Sequence, residues 1–280
     1  MDLGIKQELI NYLGNLGIRI RCLRFAIVLI MLFFFMDLYL SDFREDVILL
    51  GEKCNIAVLP FLQTSDYYMK IVFLAIVYFY ANVPFMEKKE LFYIIRLGKE
   101  CWGRRNIFYI IGSSLVIVVC FFVFSSIEIL SVAKFSCSWD SIYKTLSLTG
   151  GQNLGFEIPY AIIKEYEPFI LGIIVFFLDW LVVMMIGLIM YVISLYGQRI
   201  LSSIIAIVIV FLPSINAWLG GILIYYSPIS WLDCSNWRIG YDNRKPDLSY
   251  MLVAGIFFNV LLIIISQYRV KKMEWKTQDD

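Results

Sequence analysis

Six mostly apolar runs, at 23–40, 69–86, 107–127, 168–191, 200–219 and 250–267, take up nearly half of the 280-residue chain. A helix needs about 20 such residues to cross a bilayer, and in lipid its backbone polar groups must pair within the helix itself. Hydrophobic residues make up 60% of the chain, against the roughly 45–50% of a soluble domain. The sequence therefore predicts an all-α integral membrane protein: one transmembrane domain over 1–280, with six spans at those positions. The fifth run holds Pro213 and continues through Gly220, Gly221 and Pro228 in "ILIYYSPISWL". It reads as a helix that ends near a membrane face, followed by a hairpin or re-entrant piece buried against protein.

Lys and Arg in the connecting segments set the orientation. With the N-terminus inside, the inner segments hold 15 basic residues and the outer ones 9, although the inner segments are shorter in total. Both termini are expected in the cytosol, in a multi-pass protein of the plasma membrane. Arg19, Arg21 and Arg24 precede the first run, but no small-x-small cleavage site follows it, so this run reads as a retained signal-anchor. The outer segments are the larger ones, yet none is long enough for a domain with its own core.

Several function classes drop out. There is no histidine, which excludes Ser-His-Asp and Cys-His catalysis, HExxH zinc sites and His proton relays. No close carboxylate pair or GxSxG lies within the spans. "GGQNLGFE" lacks the GK[ST] ending of a P-loop. A net charge of +1 gives no bulk attraction for nucleic acid. The six cysteines form no CxxC, and Cys54, Cys137 and Cys234, expected outside, read as unpaired thiols. The chain is expected not to be an enzyme and to hold no metal or cofactor of its own.

Two amphipathic segments carry the functional signal. Between the second and third runs lies "KKELFYIIRLGKECWGRRN", with six basic residues, two acidic ones and a tryptophan. At 100° per residue, Leu91, Ile94, Ile95, Leu97, Gly98, Cys101 and Trp102 share one arc, while Arg96, Lys99, Glu100 and Arg104 lie opposite with Phe92 and Tyr93. A lipid-anchoring helix would use the same Lys and Arg against anionic headgroups. Aromatics on the polar face favour docking of a cytosolic partner instead. A second interfacial helix is expected over 1–22, with Ile5, Leu9, Ile10, Leu13, Leu16 and Ile20 on one face.

This layout resembles the permease subunits of ABC-2-type exporters, which place a connecting helix before the first span and a coupling helix between the second and third. "FMEKKELFYIIRLGKECWGRRNIFYIIGSSL" is similar to their Arg-rich loop, and "SPISWLDCSNWRIGYDNRKPDLSYMLVAGIFFNVLLIIISQYRVKKME" to their last outer loop, final span and basic tail. The resemblance implies a coupling helix at about 88–104, with Phe92, Tyr93, Arg96 and Lys99 docking a separate cytosolic ATPase. That ATPase would bind the ATP and Mg. It further implies a second permease subunit, identical or not, and outward movement of cargo. The charge-poor spans suit an amphipathic or hydrophobic cargo: a peptide, a lipid-like molecule or a drug. A non-transporting membrane partner, such as an immunity or sensor subunit, could use the same helices.

Asp179 is the one ionisable residue near the centre of an expected span. Such a group must face the bundle. It is expected to hydrogen-bond a Ser, Tyr or backbone group of a neighbouring helix, to line the membrane path, or to couple protons. Asn82 and Asn259 read as interhelical hydrogen-bond partners. Asp37 and Glu128 fall near outer span ends, within reach of water.

Overall fold

The computed structural model describes residues 23–84, 94–96, 98–149, 154–216, 221–240 and 244–273. The interfacial helix expected over 1–22 lies outside them, as do Phe92 and Tyr93. Nine α-helices are formed among the described residues: α1 Leu23–Leu49, α2 Leu59–Leu62, α3 Asp66–Tyr80, α4 Lys99–Ile129, α5 Ser141–Thr149, α6 Tyr160–Glu165, α7 Pro168–Ser194, α8 Arg199–Asn216 and α9 Leu248–Lys272. Four of these, α1, α4, α7 and α9, are long and apolar enough to cross a membrane. The protein is thus a helical membrane protein.

The second and fifth expected spans are shorter. Helix α3 has 15 residues, about 22 Å at 1.5 Å per residue, against a hydrocarbon core of about 30 Å. It stops at Tyr80, where a turn leads to Pro84, so the run expected to reach Met86 is not one helix. Asn82 accordingly lies exposed in that turn rather than in a span. At its other end α3 is preceded by α2, whose four residues are all buried. The chain therefore enters the bundle as a short buried helix and turns before α3 begins. Helix α8 reaches Asn216 with Pro213 inside it; proline removes one backbone donor and crowds the preceding turn.

Two spans are longer than their apolar runs suggest. Helix α1 continues to Leu49 because Met36, Leu40, Phe43 and Val47 keep one stripe of the helix buried past the expected end at Leu40. Helix α4 starts at Lys99, eight residues before the expected Ile107.

The centre of the bundle is α7, which packs against α3, α4, α8 and α9. Leu181 to Leu188 are buried on every side, the pattern of a helix enclosed by others. Gly187 permits the closest approach: a Cβ there would stand 2.8 Å from Ile110 Cγ2 and 3.1 Å from the Tyr80 ring. The Tyr80 hydroxyl lies 3.0 Å from Ser113 Oγ, joining α3 to α4. Asn259 behaves as expected, donating from α9 to the Leu181 carbonyl at 3.0 Å.

The two ends of the bundle differ. One end collects the start of α1, α4 and α8 and the finish of α3, α7 and α9. Its cations include Arg24 over the Tyr78 ring, Arg269 over the Tyr196 ring and Lys99, which donates to the Met273 carbonyl at 2.6 Å. The opposite end is closed by a cap that includes the segments 50–65, 130–149, 154–167, 221–240 and 244–247. A two-residue parallel pairing, β1 Cys54–Asn55 with β2 Ala133–Lys134, ties the first two segments. Phe61, Trp139 and Tyr143 stack within 5.1–5.5 Å of one another, with Phe43 of α1 against Tyr143. These loops share a continuous core with the spans. Cys54, Cys137 and Cys234 are free thiols.

Candidate functional site

Asp179 is completely buried on α7, about 16 Å along the helix from Pro168. A carboxylate at that depth needs a partner, and the partner comes from no other span. The amide of Gln63, at the end of α2, donates to both carboxylate oxygens at 2.7 and 2.9 Å. Pro60 at the first turn of α2 and the buried Leu59, Phe61 and Leu62 press this short helix into the bundle, which delivers Gln63 to α7. Asp179 is thus hydrogen-bonded, but to the Gln63 amide and not to the Ser, Tyr or backbone group of a neighbouring helix expected from the sequence.

Gln63 Oε1 and the Tyr68 hydroxyl are both buried and have no hydrogen-bond partner among the described residues. Gln63 also lines a cavity of about 180 Å³ between α3, α8 and the cap. Its other walls include Asp66, Lys70, Pro213, Asp233 and Asn236. The cavity is charged but internally paired in part: Lys70 meets Asp66 at 2.6 Å, and Ser214 of α8 donates to Asp66 at 3.3 Å. Asp233 accepts from the Ser235 N–H and the Asn236 amide, each at 2.9 Å. Burial pushes the Asp233 carboxyl up to about 6; its hydrogen bonds to Ser235 and the positive charge of Lys245 oppose the shift. A single amide thus stands between a buried carboxylate in the bundle and a polar cavity beneath the cap. The arrangement can hold polar or charged groups beneath the cap. Among the described residues no group of three or more His, Cys, Asp or Glu is placed to hold a metal ion.

At the basic end, the expected continuous helix over 88–104 is divided. Gly98 adopts φ +84° as the N-cap of α4, a conformation that suits glycine alone. Residues 94–96 are helical ahead of it, with Ile94 buried and Ile95 and Arg96 exposed. Ile95, on the expected apolar arc, is 82% exposed on the protein surface. Glycine freed the chain to turn between the two pieces, a change that a helical wheel drawn straight through Gly98 misses. Lys99 does not share a helix with Arg96; it begins α4 and binds the last residues of α9, where Glu100 also meets Lys271 at 3.5 Å.

A third polar group lies between α1 and α4. Arg44 donates to the Glu128 carboxylate at 2.6 Å and to its carbonyl at 3.1 Å, and also pairs with Asp37. Glu128 is therefore buried against a cation rather than open to water. The residues that sequence reasoning passed over are Gln63, Arg44 and Asp233. The available signal for Gln63 was a polar residue directly after the proline-led apolar turn "LPFL" in a segment read as a loop. Comparison of the chain with family models, with characterised proteins and with solved structures finds no match in any of the three.

Proposed function

We propose that the protein is the membrane subunit of an ATP-driven exporter of the ABC-2 type, moving an amphipathic or hydrophobic cargo outward. In this reading α3 and α8 complete six crossings with the four long helices, and the basic end faces the cytosol with both termini. The cap then lies outside the plasma membrane. Energy comes from a cytosolic ATPase that binds ATP and Mg, and a second membrane subunit, identical or related, completes the path.

The observation that carries the reading is the division at Gly98. The stretch 94–96 presents Ile95 and Arg96 at the basic end, set off from α4 by the left-handed glycine. Lys99, next in the chain, is fastened to the end of α9. A push on 94–96 would thus reach two spans, α4 through the backbone and α9 through Lys99. Phe92 and Tyr93 directly precede this stretch in the sequence, and in this reading they are the aromatic anchors for the ATPase.

Asp179 has a holding role in this reading: with Gln63 it fixes the cap segment to α7, so that cap and bundle move together. The test is ATP-dependent accumulation of a fluorescent amphiphile in inside-out vesicles that contain this chain and its ATPase. Accumulation that needs both proteins supports the reading, whereas accumulation independent of this chain counts against it.

A further inference from the structure

On the outside of the bundle, α4, α7 and the cap enclose a groove of about 760 Å³, a volume typical of small-ligand sites. It is distinct from the polar cavity at Gln63, and among the described residues its wall carries no charged side chain. The deep end is aromatic: Phe122 of α4 meets Phe176 of α7 edge-on at 5.5 Å, with Phe177 beside them. Polar groups gather at the cap end, where Asn55 donates to Ser136 and where Ser125 and Ser126 lie one turn from the end of α4. Phe169 and Phe135 stand at that mouth, 74% and 84% exposed. From Phe169 to Phe177 the groove follows α7 for about 12 Å, close to one leaflet of a hydrocarbon core of about 30 Å.

We infer that this groove is a lipid site that holds one acyl chain of a bilayer phospholipid, with the glycerol end at Asn55 and Ser136. Three observations select this occupant over a protein partner. Both walls lie on helices long and apolar enough to cross the membrane, so lipid is the surrounding solvent. The groove runs along α7 for about 12 Å, a length that part of one acyl chain fills. Its polarity runs from apolar depth to polar mouth, the order in which a phospholipid presents its atoms to a membrane protein. Because no charged side chain lines it, the site should select by chain and not by headgroup charge. The assignment does not rest on the exporter reading.

Gly172 offers the means to close the groove. A Cβ at this position would meet Phe122 at 4.0 Å, an ordinary contact, so a larger side chain can extend into the groove without displacing the helices. The full-length protein is reconstituted with phosphatidylcholine or phosphatidylglycerol carrying a diazirine in the acyl chain, irradiated, and the cross-linked peptides are mapped. The site predicts cross-links concentrated at 122–126 and 169–177, several-fold above the exposed Phe257 and Phe258 face of α9, and alike for the two headgroups. Gly172→Trp should remove most of the groove cross-links and leave the α9 face unchanged. If Gly172→Trp fails to assemble, Ile173→Trp, on the same wall and 43% exposed, gives the same readout. Equal labelling of groove and α9 face, or groove labelling unchanged by the tryptophan, would overturn the proposal and leave only ordinary surrounding lipid.

Discussion

Gln63 Nε2 sits 2.7 and 2.9 Å from the two carboxylate oxygens of Asp179, joining a segment between two helices to the centre of the bundle. Both residues are buried. Removing the amide alone strands a carboxylate, whereas removing both leaves an apolar contact. Gln63→Leu should therefore destabilise by about 1–3 kcal/mol, and Gln63→Leu with Asp179→Leu should recover a large part of that loss. Unfolding of the purified protein in a denaturant series checks this double-mutant cycle. Additive single effects would mean that the pair is not coupled.

Gly187 sets the spacing of α3, α4 and α7. A methyl at that position collides with Ile110 and Tyr80, and small residues at such crossings let membrane helices approach closely. Gly187→Val should cost about 1–3 kcal/mol through overpacking and lower the melting temperature in detergent. Gly172→Ala, where the space is open, serves as the neutral control.

Much of this architecture was legible in the sequence because bilayer thickness imposes a length on apolar runs. Helices α1, α4, α7 and α9 each contain an expected run, and Asp179 announced itself as a carboxylate with nowhere to hide. Asn259 could be read in the same way. What escaped depends on contacts between distant segments. Nothing local says that Leu59–Leu62 folds into the bundle, that α3 stops at Tyr80, or that Arg44 reaches Glu128 across 84 positions. Gly98 was visible, but a periodicity argument treats a glycine as one more small residue on the arc. Its positive φ is what divides the segment.

The cap should respond to mild acid. Burial raises the Asp233 carboxyl to about 6, with Glu157 pushing the same way and Lys245 opposing. An acid whose pKa rises on folding is penalised in its charged form, so its contribution is most favourable below its unfolded value of about 3.9. Stability is then lost as pH climbs through about 6. After allowance for solvent screening at this half-buried site, the swing should be no more than about 2 kcal/mol. Once the intrinsic pH dependence of exchange is divided out, protection factors across 229–237 should be higher at pH of about 5 than about 7, and Asp233→Asn should flatten the difference. Lower protection factors in acid would reverse the sign and contradict the account.

Orientation can be read with a native residue. Cys137 is an exposed thiol in the cap, and Cys101 lies in the first turn of α4 at the basic end. A membrane-impermeant maleimide added to intact cells should label Cys137, and Cys137→Ser should abolish the signal. Labelling of Cys101 from outside would invert the topology.

The central claim is that an ATPase drives this bundle through the segment ahead of α4. The direct measurement is ATP hydrolysis by the complex in proteoliposomes, together with the amount of ATPase retained, for the wild-type chain and for Phe92→Ala with Tyr93→Ala. Truncated hot-spot residues cost about 2 kcal/mol or more, roughly thirtyfold in affinity. The account predicts that the double variant inserts normally but loses the ATPase or its cargo-stimulated hydrolysis. A double variant that retains full complex and full coupled hydrolysis would contradict it.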